Sequence, residues 1–134
     1  MMFIDTGAFI ARYDRSDSLH RIAAAAFATI QTDRVRCLTS SFVVSETLTF
    51  IERAAGGVFA ARVGNLLHSS TLAIVDPEKA DQKAALSLLE KYADQHVSYC
   101  DCVSFVVMRR LRVKTAFSFD KHFERAGFQL WPSS

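Results

Sequence analysis

Met2-Phe3-Ile4-Asp5-Thr6-Gly7-Ala8-Phe9-Ile10-Ala11-Arg12-Tyr13 places three apolar residues before an acid and a hydroxyl, then a second apolar run. Met2-Phe3-Ile4 predicts a short buried strand, and Asp5-Thr6 offers capping side chains for a helix from Ala8 to Tyr13. A strand that turns directly into a helix is the unit from which parallel sheets are built.

The alternation continues along the chain. His20 to Ile30 is rich in helix formers, with Ile22, Ala26 and Ile30 spaced by four on one stripe. Val35 to Thr39 predicts a second strand, and Ser40-Ser41 supplies an N-cap for a helix with Val44, Leu48 and Ile51 on one face. Gly56-Gly57 breaks that helix, Val58 to His68 resumes one, and Leu72 to Val75 predicts a third strand. Asp76-Pro77 marks the next helix, with proline at the first helical position and Ala80, Ala84 and Leu88 extending it. Ser98 precedes Asp101 by three, the spacing of a capping box, and predicts a buried helix over Cys102 to Leu111. Thr115 to Phe119 reads as a fourth strand, Lys121 to Arg125 as a short helix, and Phe128 to Trp131 as an edge strand ended by Pro132. Short apolar strands alternating with helices predict an α/β fold, a parallel sheet covered on both faces by helices.

At 134 residues, 50% of them hydrophobic, the chain can bury one core but not two, so residues 1–134 are read as a single domain. Its longest apolar stretches, such as Cys102 to Met108, fall far short of the roughly 20 residues that span a bilayer, and none follows a basic start as a signal peptide does. A cytoplasmic protein without a membrane partner is the expectation. Cys37, Cys100 and Cys102 are odd in number and suit neither a disulfide framework nor a four-ligand zinc site, which leaves them as reduced packing residues. A formal charge of +2 is too small to indicate a nucleic-acid partner by itself.

Four acids stand where a carboxylate is costly. Asp5 closes the opening strand, Glu46 interrupts Phe42-Val43-Val44-Ser45-Glu46-Thr47-Leu48, Asp101 heads an apolar helix, and Asp120 ends Ala116-Phe117-Ser118-Phe119. In open α/β sheets functional residues gather beyond the carboxyl ends of strands, where Asp5 and Asp120 fall. Each acid also has an ordinary reading. Asp5 and Asp120 serve as N-caps, Asp101 completes a capping box and Glu46 pairs with an arginine, each cap contributing about 1 kcal/mol. Capping does not explain Glu46 on a core-facing segment, whereas a cation shared by the four explains the set. Clustered carboxylates select a hard ion, Mg²⁺ or Mn²⁺, and His20, His68, His96 and His122 are scattered. Such a site suits hydrolysis of a phosphodiester. Arg12, Lys121, His122 and Arg125 are candidates for phosphate contact, while Arg109 to Lys114 suit the C-terminal end of their helix.

Asp5-Thr6-Gly7 also matches the signature of dimeric aspartic proteases. Those are β-rich, and only 5 glycines among alanine-rich helical segments argue against that fold. A Thr6 hydroxyl beside Asp5 fits a supporting role for a carboxylate.

Together the blocks Phe3-Ile4-Asp5-Thr6, Val43-Val44-Ser45-Glu46, Ser98-Tyr99-Cys100-Asp101-Cys102-Val103-Ser104-Phe105 and Phe117-Ser118-Phe119-Asp120-Lys121-His122-Phe123 resemble, in order and over the whole chain, the PIN-domain family. Within it they are most similar to the VapC-like ribonuclease toxins of toxin-antitoxin pairs. The resemblance implies a three-layer α/β/α sandwich with a mainly parallel central sheet of four to five strands. It implies that Asp5, Glu46, Asp101 and Asp120 are catalytic, bind Mg²⁺ or Mn²⁺ and are supported by Thr6, with Asp94 as a further acid near the end of a helix. It also implies a single-strand endoribonuclease, a homodimer and an inhibitory antitoxin partner. The alternative from another class is a non-catalytic RNA- or protein-binding module of the same fold.

Overall fold

The computed structural model describes residues 1–133. Met2–Ile4 forms strand β1 and all three of its side chains are buried. Neighbours on a strand point to opposite faces, so this strand is covered on both sides. Helices α1 (Thr6–Tyr13) and α2 (His20–Thr32) lead to β2 (Cys37–Ser40). Helices α3 (Ser41–Ala55) and α4 (Gly57–Ser69) lead to β3 (Ala73–Val75). Helices α5 (Lys79–Lys91) and α6 (Tyr99–Arg110) precede β4 (Thr115–Phe117), and the short α7 (His122–Arg125) precedes β5 (Gln129–Trp131). The five strands pair in parallel in the order β3-β2-β1-β4-β5, flanked by the helices as an α/β/α sandwich. The order reverses between β1 and β4, which makes the crevice beyond Ile4 and Phe117, registered partners, the switch point of the sheet. Among the described residues, no helix is long and apolar enough to cross a membrane.

Local chemistry sets the boundaries. Ser40 Oγ accepts the Val43 N–H at 3.1 Å and starts α3. Gly56 ends that helix at φ +90°, a conformation in which a side chain is strained, and α4 begins at once. The strand expected through Phe119 stops at Phe117, and the next residue, Ser118, turns its hydroxyl to Asp5 and to the Asp120 N–H.

Two sequence expectations need correction. The stripe of α2 is not Ile22-Ala26-Ile30, since Ile22 is half exposed and Ala23 and Ala26 are the buried residues. Helix α5 does not open at Asp76-Pro77 but at Lys79, where Asp81 Oδ2 accepts the Glu78 N–H at 2.8 Å and does the capping.

Asp81 is also the acid whose burial the sequence hid. Arg110 bonds both its oxygens, Nε to Oδ1 at 2.9 Å and Nη2 to Oδ2 at 2.8 Å. Burial alone raises the Asp81 carboxyl, but the Arg110 bonds, the Glu78 N–H and the guanidinium charge together hold it below its ordinary value. A depressed carboxyl contributes stability above its unfolded pKa and loses it as pH falls through the folded one. Urea unfolding of Asp81→Ala is therefore expected to show a loss on the order of 2 kcal/mol at pH 7 that shrinks below about pH 4.

The core runs through Phe3, Phe9, Phe105, Phe117 and Phe123, all fully buried. Phe105 of α6 meets Phe123 of α7 edge to face at 4.9 Å, and Phe117 meets Trp131 at 5.2 Å. These rings fix the helices and strands that carry the acids.

Candidate metal centre

Asp5 follows β1 at the N-terminal end of α1 and is buried, yet its side chain makes no cap bond to that helix. Its N–H donates to Phe117 O at 3.0 Å, tying it to β4. Ser118 Oγ donates to Asp5 Oδ2 at 2.9 Å and accepts the Asp120 N–H at 3.0 Å. One serine thus sets the spacing of two acids 115 positions apart. Burial, then the charge of Asp101, push the Asp5 carboxyl up to about 7, against the Ser118 bond and the Thr6 N–H, with a smaller upward push from Asp120.

Asp101 lies in the first turn of α6. Its Oδ2 accepts the Ser98 N–H at 3.1 Å, and its N–H donates to Ser98 Oγ at 3.0 Å. The capping reading is therefore correct, and it leaves Oδ1 free. Burial raises this carboxyl, the Ser98 bonds oppose it, and the charges of Asp120 and Glu46 raise it again. Asp101, Asp120 and His122 each offer one ligand atom, all within 4.8 Å of one another. Asp120 Oδ1 accepts the His122 N–H at 2.9 Å.

Glu46 departs from expectation. The inward residues of α3 are Val43, Val44, Thr47 and Ile51, and Glu46 falls on the other side of the helix, exposed. The premise that its position is core-facing is wrong. Its charge nonetheless acts on Asp101 and Cys100, and it lines an open groove of about 580 Å³ with Phe42, Ser45, Phe50, Arg53 and Cys100. Burial, and next the Glu46 charge, push the Cys100 thiol well above its ordinary value, so it stays protonated.

Thr6 is buried and its Oγ1 has no hydrogen-bond partner, so its support reaches Asp5 through the backbone N–H rather than the hydroxyl. Arg12 sits in the last turn of α1, stacked 5.3 Å from the centroid of the Tyr13 ring, at the far end of that helix from Asp5. Lys121 and Arg125 are exposed, the first just before α7 and the second its last residue, near Asp120 in the chain. Asp94 is exposed in a single 3₁₀ turn, Ala93–Gln95, outside the group. Sequence reasoning passed over Ser118, whose signal was a polar residue between Phe117 and Phe119, and took His122 for a phosphate contact, whereas it lies within 4.8 Å of the Asp101 and Asp120 oxygens.

Among the described residues, Arg110 pairs with Glu78 and Asp81, and His122 Nδ1 lies 2.9 Å from Asp120 Oδ1. Among these residues no lysine or arginine side chain pairs with Asp5, Glu46 or Asp101. Crowded carboxylates, two of which (Asp5 and Asp101) have pKa values raised by burial and by the charge of neighbouring carboxylates, form a donor set that fits a hard divalent ion.

The sequence matches the family model described as PIN domain over residues 2–129. A relative from Mycobacterium tuberculosis, the 23S rRNA-specific endonuclease VapC20, is 31% identical over 129 residues, 96% of this chain and 95% of that protein. The crystal structure of M. tuberculosis VapC20, described as a sarcin-ricin loop cleaving toxin, superposes with a TM-score of 0.87 at 26% identity and covers 96% of each chain. DNA-bound VapBC from Salmonella typhimurium shares the fold, with a TM-score of 0.69 at 14% identity over 96% of this chain and 95% of that one.

Proposed function

The chain belongs to the PIN-domain family, and from that premise we propose that it is a metal-dependent endoribonuclease, the toxin of a toxin-antitoxin pair. The observation that carries the reading is the meeting of Asp5, Asp101 and Asp120 at the switch point of the sheet with no lysine or arginine pairing them among the described residues, and with the Glu46 charge of α3 acting on Asp101. Asp5, Glu46, Asp101 and Asp120 would hold Mg²⁺ or Mn²⁺. When bound, an ion of this class offsets charge developing on a phosphodiester and acidifies water within its reach. The chain's own residues do the rest. Ser118 keeps Asp5 and Asp120 in register, and Lys121 and Arg125 offer cations to the RNA backbone. Arg12, at the other end of α1, can reach only a distant part of an RNA strand.

The same reading takes residues 1–134 as one domain and includes a cytoplasmic homodimer. Its antitoxin would present tail arginines to the acidic crevice, and the apolar groove of Phe42 and Phe50 beside Glu46 suits the adjoining segment. The name of the M. tuberculosis relative makes an RNA hairpin bearing the sarcin-ricin loop the first substrate to try.

One observation favours the binding-module alternative: the complete capping box of Ser98 and Asp101, which gives Asp101 a purely structural use. Two substitutions separate the readings. Asp101→Asn keeps an acceptor for the Ser98 N–H, so the nuclease reading expects unchanged melting, loss of the Mn²⁺-induced rise in Tm, and about 100-fold or slower cleavage of labelled hairpin. Asp101→Ala in addition loses about 1 kcal/mol from the cap. Cleavage that persists undiminished in EDTA and in Asp101→Asn sinks the metal mechanism.

A further inference from the structure

We propose that His122 is a nitrogen donor to the divalent ion held by Asp101 and Asp120, and that it biases the site toward first-row transition ions over Mg²⁺. The inference rests on the reading that these acids bind a divalent ion, and it adds the ion's preferred class.

The geometry is specific. His122 Nδ1 lies 2.9 Å from Asp120 Oδ1. The nitrogen is buried and makes no hydrogen bond, and the same Oδ1 is already engaged by the His122 N–H at 2.9 Å. A buried ring nitrogen pressed against an anionic oxygen without a directed bond is costly, and a cation between the two removes the cost. Octahedral donors at about 2.1 Å from an ion stand about 3 Å apart along an edge. The observed separation matches that edge, and Asp101 completes the group within 4.8 Å. The ring is held there from behind: His122 is the first residue of α7, and Phe123 beside it is fully buried against Phe105 and Phe128.

Imidazole changes the choice of ion. Mg²⁺ is an oxygen-seeking ion that keeps its waters, whereas affinity for a nitrogen-containing site rises from Mn²⁺ to Co²⁺. Mere contact of His122 with RNA predicts no such order.

Calorimetric titration of metal-free wild type and His122→Ala with Mg²⁺, Mn²⁺ and Co²⁺ tests the proposal. The variant is expected to lose about 10-fold or more in Co²⁺ affinity, a few-fold in Mn²⁺ affinity, and no more than about twofold in Mg²⁺ affinity. Pulsed EPR of Mn²⁺ bound to the unaltered protein is expected to show coupling to one imidazole nitrogen, which decides the matter even where the variant folds poorly. Equal losses for the three ions, no loss, or a wild-type spectrum without nitrogen coupling overturns the donor alone. Wild-type protein that binds none of the three ions overturns the metal reading and the donor together.

Discussion

Asp5→Asn is expected to melt higher than the wild type at pH 8 without metal, and to cleave no RNA. Asp5 is 5% exposed, and burial first, then Asp101, then more weakly Asp120, drive its carboxyl from 3.8 to about 7 against the Ser118 and Thr6 bonds. A group whose folded pKa exceeds its unfolded value stabilises the fold fully below the unfolded pKa and loses that contribution as pH rises through the folded one. For Asp5 the window runs from about 4 to about 7, and at about 1.4 kcal/mol per unit the ceiling is about 4 kcal/mol. Asparagine stays neutral and its carbonyl still accepts from Ser118, but its amide meets the Thr6 N–H less well than a carboxylate does. A net gain of about 2 kcal/mol at pH 8 is expected, fading toward pH 4. Mn²⁺ should raise the Tm of the wild type at pH 8 by linkage and leave the variant unmoved. Calorimetric melts at pH 5 and pH 8, with and without Mn²⁺, give all of these readings. A variant that melts lower at pH 8, or keeps its Mn²⁺ response, would falsify the picture of Asp5 as a carboxylate held at a cost for an ion.

Phe105→Ala is the second large effect, a loss of about 4 kcal/mol in urea unfolding. The ring is fully buried and meets Phe123 at 4.9 Å, Phe128 at 5.8 Å and Tyr92 at 6.2 Å. It lies one turn beyond Asp101 on α6, and its partner Phe123 follows His122, so the pair spaces the two halves of the site. Mn²⁺ affinity is expected to fall about 10-fold in the variant while it is still folded, as when a ligand's support is removed. Phe105→Leu, which refills most of the volume, should recover most of both losses. A variant that loses stability but keeps its Mn²⁺ affinity would show that α6 and α7 are held apart by other contacts.

Much of the fold was legible because its signals are local. Ser40 ahead of α3, Ser98 three before Asp101, and Gly56 between two helical runs each act through backbone groups a few residues away. The exposure of Glu46 was also legible, since the inward spacing of Val43, Val44, Thr47 and Ile51 leaves no inward place for position 46. Reading the apolar run as continuous hid it. Other features are tertiary. The Asp81–Arg110 pair spans 29 positions and the Ser118–Asp5 bond spans 113, and both exist only because of how helices cross and which strands adjoin. Parallel strand order follows no local rule, so the crevice between β1 and β4, and His122 at its mouth, appear only in the folded chain.

Strand β1 is made first and pairs with β4, whose acid comes 115 residues later. During synthesis the acids at positions 5, 46 and 101 therefore emerge without their fourth member, and Asp5 lacks both the Phe117 carbonyl and the Ser118 hydroxyl that seat it. A ribosome-bound chain that has not yet reached residues 117–120 therefore lacks the groups that seat Asp5, and the proposed metal site forms only once they are made.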